Sequence, residues 1–306
     1  MKANKTIILA VVFIILAVIA YFLTTDRGEK TATYKLEKKL FAVDSASIDK
    51  LEIEQKALKV TLVKAGFEWK ISQPVDYTAY QQFVSAVLSD LKKYKLESKV
   101  SDNPNNKDKF GFNDTNVVKV TVYQGGNIIG TILVGNTSSG PAQTFIKRPE
   151  SNEIFLANDF LRSNFVKDNG PNDWRDKLIY SIPKGNIKSV EFISSSDNYK
   201  IEKDSAGFYR SGKDSVNNTV ADGVFNVFQN FNTIGFKDST ISENVKFDYT
   251  IKIDADKAYV ISFLRTGEGD NPKYILKVSD KKQLFEVDGN FLKMVFKGKK
   301  EMLISK

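Results

Sequence analysis

Apolar and polar positions along this chain follow one pattern, written twice. It begins with alternating stretches, Ile48-Asp49-Lys50-Leu51-Glu52-Ile53, Leu58-Lys59-Val60-Thr61-Leu62-Val63 and Phe67-Glu68-Trp69-Lys70-Ile71. A period of two predicts three strands, each with one face buried. Pro74 has no N–H to give a ladder and ends the third. The period then lengthens to that of a helix, capped by Asp76 and running to about Lys93, with Tyr80, Phe83, Val84, Val87, Leu88 and Leu91 as its apolar stripe. Strands return at 117–123 and 128–134 around the hairpin signal Gly125-Gly126-Asn127. Two more, at 144–147 and 153–156, flank Pro149-Glu150-Ser151-Asn152, and Asn158 caps a short helix ending near Phe165.

The second writing is recognisable position by position. Lys39-Leu40, Ile48, Leu51 and Ile53 recur as Lys177-Leu178, Ile187, Val190 and Phe192, and Gly66-Phe67 recurs as Gly207-Phe208. Tyr80, Val84, Val87, Leu88 and Leu91 recur as Val220, Val224, Val227, Phe228 and Phe231, and Phe155, Phe160, Leu161 and Phe165 as Phe285, Phe291, Leu292 and Phe296. The offset is about 140 residues at first and about 130 later, so the second copy has lost a loop of about ten residues. Its strands are expected at 187–193, 199–203, 208–210, 249–253, 259–264, 274–278 and 283–287, with helices at 219–233 and 290–296. What recurs is apolar spacing, as expected of a copied scaffold.

Strands joined mostly by short turns predict antiparallel sheets with one face covered by helix, and no βαβ series is present. The expected fold class is α+β: an N-terminal transmembrane helix, then two tandem modules, each mainly antiparallel sheet with one long and one short helix. The boundaries follow the composition. Residues 1–5 form a cytoplasmic N-terminus, 6–23 the anchor, 24–38 a polar tether, 39–170 the first repeat and 171–306 the second. Between the repeats, Lys167-Asp168-Asn169-Gly170-Pro171-Asn172-Asp173-Trp174-Arg175-Asp176-Lys177 is rich in turn residues, and Trp174 is expected to anchor the two units together.

The anchor rests on the unbroken apolar run from Ile7 to Leu23, 17 residues, extended by Thr6 to a helix of about 27 Å. Lys2 and Lys5 precede it, which predicts a single pass with the N-terminus inside and the remainder in the periplasm or cell exterior of a bacterium. Val18-Ile19-Ala20 is the alternative, a cleavage site of a signal peptide, although large residues follow it.

Composition removes whole classes of chemistry. The chain has no Cys and no His, which excludes disulfides, thiolate sites and every Ser-His or Cys-His dyad. Its net charge of +8 comes mainly from Lys, with only six Arg. That balance points to solvated faces or an anionic envelope polymer or lipid, and not to nucleic acid.

Three short motifs fall in the chain order of serine β-lactamases: Ser47-Ile48-Asp49-Lys50, Ser101-Asp102-Asn103 and Arg265-Thr266-Gly267. Ser47 would have to open a helix, whereas its surroundings predict a strand, on which Ser47 and Lys50 stand about 10 Å apart. An envelope serine hydrolase is thus a minor alternative. Asp168, Asn169, Asn172, Asp173 and Asp176 form an oxygen-rich loop without EF-hand spacing. Asp254 with Asp256, and Glu268 with Asp270, read as turn carboxylates. Gly125-Gly126 and Ser138-Ser139-Gly140 lack the Lys and helix start of a phosphate loop. The helix aromatics, Tyr80 and Phe83 in one copy and Phe225, Phe228 and Phe231 in the other, are expected in the core, a sugar-stacking platform being the alternative. No catalytic residue, metal ligand or cofactor is assigned.

Several stretches resemble the bacterial family known as domain of unknown function 4340. They are Phe41-Ala42-Val43-Asp44, Trp69-Lys70-Ile71-Ser72-Gln73-Pro74-Val75-Asp76-Tyr77, Phe110-Gly111-Phe112, Ile132-Leu133-Val134-Gly135-Asn136, Ile154-Phe155-Leu156 and Trp174-Arg175-Asp176-Lys177. The second copy departs from the family's Trp-Lys-Ile-x-x-Pro pattern, with Phe208-Tyr209-Arg210-Ser211-Gly212 and no Pro. The resemblance implies a single-pass membrane-anchored protein, encoded beside ABC-transporter permeases and an auxiliary protein associated with gliding motility. It supplies no catalytic residues. The expected function is therefore a non-enzymatic, membrane-anchored extracytoplasmic accessory or scaffold protein of an ABC-type transport complex, with a binding module for an anionic envelope polymer or lipid as the alternative.

Overall fold

The structure is a computed structural model describing residues 5–25, 38–56, 58–139, 142–242 and 244–304, with backbone alone at 5–10 and 22–25. Most of the expected tether, 24–38, lies outside the described residues. The chain opens with helix α1 (Lys5–Thr25). Among the described residues no helix is long and apolar enough to cross a membrane. The expected transmembrane anchor at 6–23, and with it the single-pass inner-membrane location with periplasmic C-terminal domains, is corrected on that ground.

The alternating stretches form β1 (Lys50–Gln55), β2 (Leu58–Ala65) and β3 (Glu68–Gln73), followed by a short β4 (Tyr77–Thr78) and helix α2 (Gln81–Lys93). Then come β5 (Leu96–Ser101), β6 (Val118–Gln124), β7 (Asn127–Thr137), β8 (Gln143–Lys147), β9 (Ile154–Asn158) and α3 (Leu161–Phe165). They make one antiparallel sheet in the order β4-β3-β2-β1-β6-β7-β8-β9-β5. Leu51, Ile53, Val60, Leu62, Val120 and Val122 are buried beneath α2 and α3, while Glu52, Glu54 and Lys119 stand on the open face. This is the split that a two-residue period imposes.

A linking pair, β10 (Leu178–Tyr180) with β15 (Phe231–Asn232), introduces the second half. Its strands are β11 (Ser189–Ser194), β12 (Asn198–Lys203), β13 (Tyr209–Ser211), β14 (Asp214–Val216), β16 (Gly235–Lys237), β17 (Tyr249–Asp254), β18 (Ala258–Arg265), β19 (Lys273–Val278), β20 (Leu284–Asp288) and β21 (Leu303–Ile304). Helix α4 (Asn218–Gln229) follows β14, and α5 (Gly289–Val295) and α6 (Lys299–Met302) close the chain. The sheet order is β16-β20-β19-β18-β17-β11-β12-β13-β14-β21. With β21 set aside, this is the first sheet read from its other edge, strand for strand. Glu52 on β1 and Glu191 on β11 occupy the same place, each paired with a Lys of a neighbouring strand, Lys59 and Lys252.

As a whole the fold is mostly antiparallel sheet, and the expected α+β class with a transmembrane helix is replaced by that description. The reason lies in strands too short to show a period. β4 and β14 have two and three residues, and β5 and β16 are edge strands. β4 also moves the start of the helix. Tyr77 and Thr78 pair with Ile71 and Lys70, so the chain stays extended past Asp76, and α2 begins only after Tyr80. Asn158 does not cap α3; its Oδ1 accepts from the Lys95 N–H at 2.8 Å. In the second half the caps match the chemistry of their sequence, Asn217 accepting from Val220 N and Asp288 from Phe291 N.

Two stretches of the family resemblance meet in space. A Cβ on Gly135 would overlap the carbonyl oxygen of Phe110, and one on Gly111 would overlap the Asn136 side chain. Gly111 also has φ +83°, a conformation that side chains other than hydrogen strain to adopt.

Candidate functional site

The junction is built from the linker residues that follow α3. The Trp174 carbonyl accepts from Tyr80 N at 2.7 Å, Asp176 N donates to the Thr78 carbonyl at 3.0 Å, and Arg175 bridges Ala79. The linker thus runs as a further short strand along the β4 edge. Two residues later it has changed sheets, where the Lys177 carbonyl accepts from Thr233 N and Leu178 pairs with Asn232.

Trp174 does not sit between the units as expected; it is buried in the core of the first. Its neighbour does that work. Arg175 has 1% of its side chain exposed and donates through both terminal nitrogens to Asp238 of the second unit, at 2.9 and 2.8 Å. The guanidinium centre lies 4.8 Å from the Phe236 ring and 5.7 Å from that of Tyr77, and those rings meet edge to face at 5.2 Å. The guanidinium beside Asp238 holds its carboxyl below the usual range. Burial, with Asp176 nearby, pushes the Tyr77 phenol up to about 12. Arg175 Nε is the one buried side-chain nitrogen or oxygen among the described residues without a partner. The planar Arg lies against both rings and spans two sheets, which a Lys cannot reproduce.

Beside this clasp is a cleft of about 330 Å³ lined by Tyr80, Phe83, Asp173, Arg175, Asp176, Lys177 and Asn232. Phe225, Phe228 and Phe231 are in the core as expected, but Tyr80 and Phe83 are not; Phe83 is 38% exposed. Phe83 meets Tyr80 edge to face at 4.8 Å, and the Lys167 ammonium, its pKa lowered by burial, lies 4.4 Å from the Phe83 ring. Opposite, Asp173 accepts from the backbone and side-chain N–H groups of Asn169, both at 3.1 Å, and Asp176 accepts from Leu178 N at 3.0 Å.

Each sheet also carries one exposed aromatic at the tip of its second hairpin. Phe67, between β2 and β3, is 104% exposed, and Phe208, between β12 and β13, is 58% exposed. In the second hairpin Asp204 organises the loop, accepting from Ala206 N, Phe208 N and Arg210 Nε. The bond from Arg210 is the main reason its carboxyl is held low.

The β-lactamase-like motifs are not brought together. Ser47 Oγ donates to the Asp44 carbonyl, and Lys50 pairs with Glu52 and lies 3.6 Å from the Tyr123 ring centroid. Ser101-Asp102-Asn103 follows β5 at the far edge of that sheet, and Arg265-Thr266-Gly267 lies in the other sheet. Among the described residues no group of three or more Asp or Glu could hold a metal ion. Asp256 accepts from the Tyr259 hydroxyl and Asp254 faces Lys188, as turn carboxylates do. Gly125 and Gly126 form a hairpin turn with φ of +59° and +79°.

Two sheets of one order, joined through a buried cation and bearing paired aromatic tips, define a tandem-repeat β-sheet protein. A family model described as a domain of unknown function (DUF4340) matches residues 69–247, more than half of the chain, and the chain belongs to that family. No curated protein and no solved structure matches it.

Proposed function

We propose that the chain is a non-enzymatic accessory scaffold that docks onto a partner protein through Phe67 and Phe208, with the two sheets held in register by the Arg175–Asp238 clasp. One observation supports this above the rest. Most of the recurring apolar positions form the two cores, among them Leu51, Val84 and Phe155 with Val190, Val224 and Phe285, yet the recurring Gly-Phe pair puts its ring in solvent in both copies. Exposed rings on short hairpins lose little freedom on binding and bury a large area, as interface anchors do.

The partner that the family resemblance suggests is a subunit of an ABC-type transport complex. An anionic-polymer site draws less support, because five lysines of the open faces are already matched: Lys50 and Lys59 by Glu52, Lys119 by Glu54, Lys200 by Glu202 and Lys252 by Glu191. Affinity capture of the tagged chain from its native cells, with a Phe67→Ser/Phe208→Ser variant in parallel, tests the reading. Transporter subunits recovered with the wild type and lost with the folded variant support it. Equal recovery with both contradicts the docking role, and recovery of none contradicts the transporter assignment.

A further inference from the structure

We propose that the cleft between the two sheets binds an uncharged pyranose sugar, one or two rings long. Its volume of about 330 Å³ is at the small end for ligand sites, which favour such junctions. One wall is aromatic. Phe83 keeps 38% of its surface exposed, although Val84, Val87 and Leu91 of the same helix are fully buried. This wall is also where the copies differ. At the positions equivalent to Tyr80 and Phe83, the second module has Val220 and Gly223, so a scaffold role shared by both helices does not require the rings.

The other wall is polar, with Asp173, Asp176, Lys177 and Asn232. Arg175 is committed to Asp238. Two carboxylates and one ammonium line the cleft, and the Lys167 ammonium lies 4.4 Å from the Phe83 ring, so the site has no excess of positive charge with which to hold a phosphate or other anion. A ligand suited to both walls has an apolar face to lie on a ring and hydroxyls along its edge. Carboxylate and amide oxygens accept from those hydroxyls, and the Asn232 amide and Lys177 ammonium donate to them. Sugar rings present that combination; planar aromatic ligands lack the hydroxyl edge, and free amino acids carry charge at both ends.

The test titrates the purified full chain with cellobiose, maltose and N,N′-diacetylchitobiose, and with glucose 6-phosphate as the anionic comparator. Saturation-transfer NMR and calorimetry provide the readouts. We expect saturable binding of at least one neutral disaccharide, weakened about tenfold by Phe83→Ala and several-fold by Asn232→Ala, and retained by Phe83→Trp. Asn232 is exposed, so the melting temperature of Asn232→Ala stays at the wild-type value. If Phe83→Ala lowers the melting temperature, Asn232→Ala and Phe83→Trp decide. No binding of any neutral disaccharide overturns the inference, as does binding indifferent to these substitutions or tighter binding of glucose 6-phosphate. The Phe67→Ser/Phe208→Ser variant keeps its sugar binding, which separates this site from the docking tips.

Discussion

Arg175 and Asp238 stand 63 positions apart, yet form a two-pronged pair at 2.9 and 2.8 Å across the boundary between the sheets. The pair is lopsided. The Arg side chain is almost wholly buried, and the Asp is half exposed. Removing the Asp leaves a buried cation beside two rings; removing the Arg leaves a carboxylate that water can reach and a hole beside Tyr77 and Phe236.

Arg175→Ala should therefore destabilise the chain by about 3 kcal/mol, mostly through lost packing and the broken pair. Asp238→Ala should cost about 3 kcal/mol as well, because it leaves the buried guanidinium without its counter-charge. Arg175→Lys should recover little, since an ammonium cannot bond twice in that plane. Urea unfolding of the single and double variants measures the coupling, and strictly additive losses would remove the clasp from the account.

The open face of the first sheet sets a pH dependence. Burial pushes the Glu52 carboxyl up, but the bonds from Lys59 and Lys50, with Tyr123, outweigh it and hold the group at about 2 instead of 4.5. A carboxyl with a lowered folded-state pKa binds more protons when unfolded. Its contribution is complete above about pH 4.5 and is lost as the pH falls towards 2. Glu52→Gln should cost about 1–2 kcal/mol at neutral pH. The difference between variant and wild type should shrink across that acid window in thermal melts, and a constant difference down to pH 2 would refute the assignment.

Glycines offer a test in opposite directions. Gly135→Ala places a methyl group on the Phe110 carbonyl and should destabilise by about 2–3 kcal/mol. Gly223 is exposed inside α4 with nothing within 4 Å of its missing Cβ, so Gly223→Ala should stabilise by about 0.5–1 kcal/mol. Calorimetry on the two variants distinguishes them by sign.

Much of the sheet was legible because period-two alternation is strong wherever one face is buried. Leu51-Glu52-Ile53 and Phe192 with Val190 show their buried face directly. The short strands were not, since Tyr77–Thr78 and Asp214–Val216 contain too few residues to show a period. The start of α2 was misjudged for the same reason, Asp76 resembling a cap while the chain was still pairing. The apolar run of 17 residues suggested a membrane span that the described helix does not support. Of the site, Trp174 drew attention by size, and the adjacent Arg175 did not. An Arg in a turn-rich linker reads as solvated, and only its distant partner Asp238 reveals the clasp. Phe83 reads as core because apolar letters at helical spacing suggest it, and the pattern does not record which rings the helix start turns outward.

The docking claim is tested most directly at Phe67. A photo-crosslinking phenylalanine analogue at that position, and in a second chain at position 208, is to be irradiated in native cells. The account predicts the same partner protein captured from both positions, and none from an exposed control such as Lys213. Capture from neither tip, or from the control equally, would contradict it.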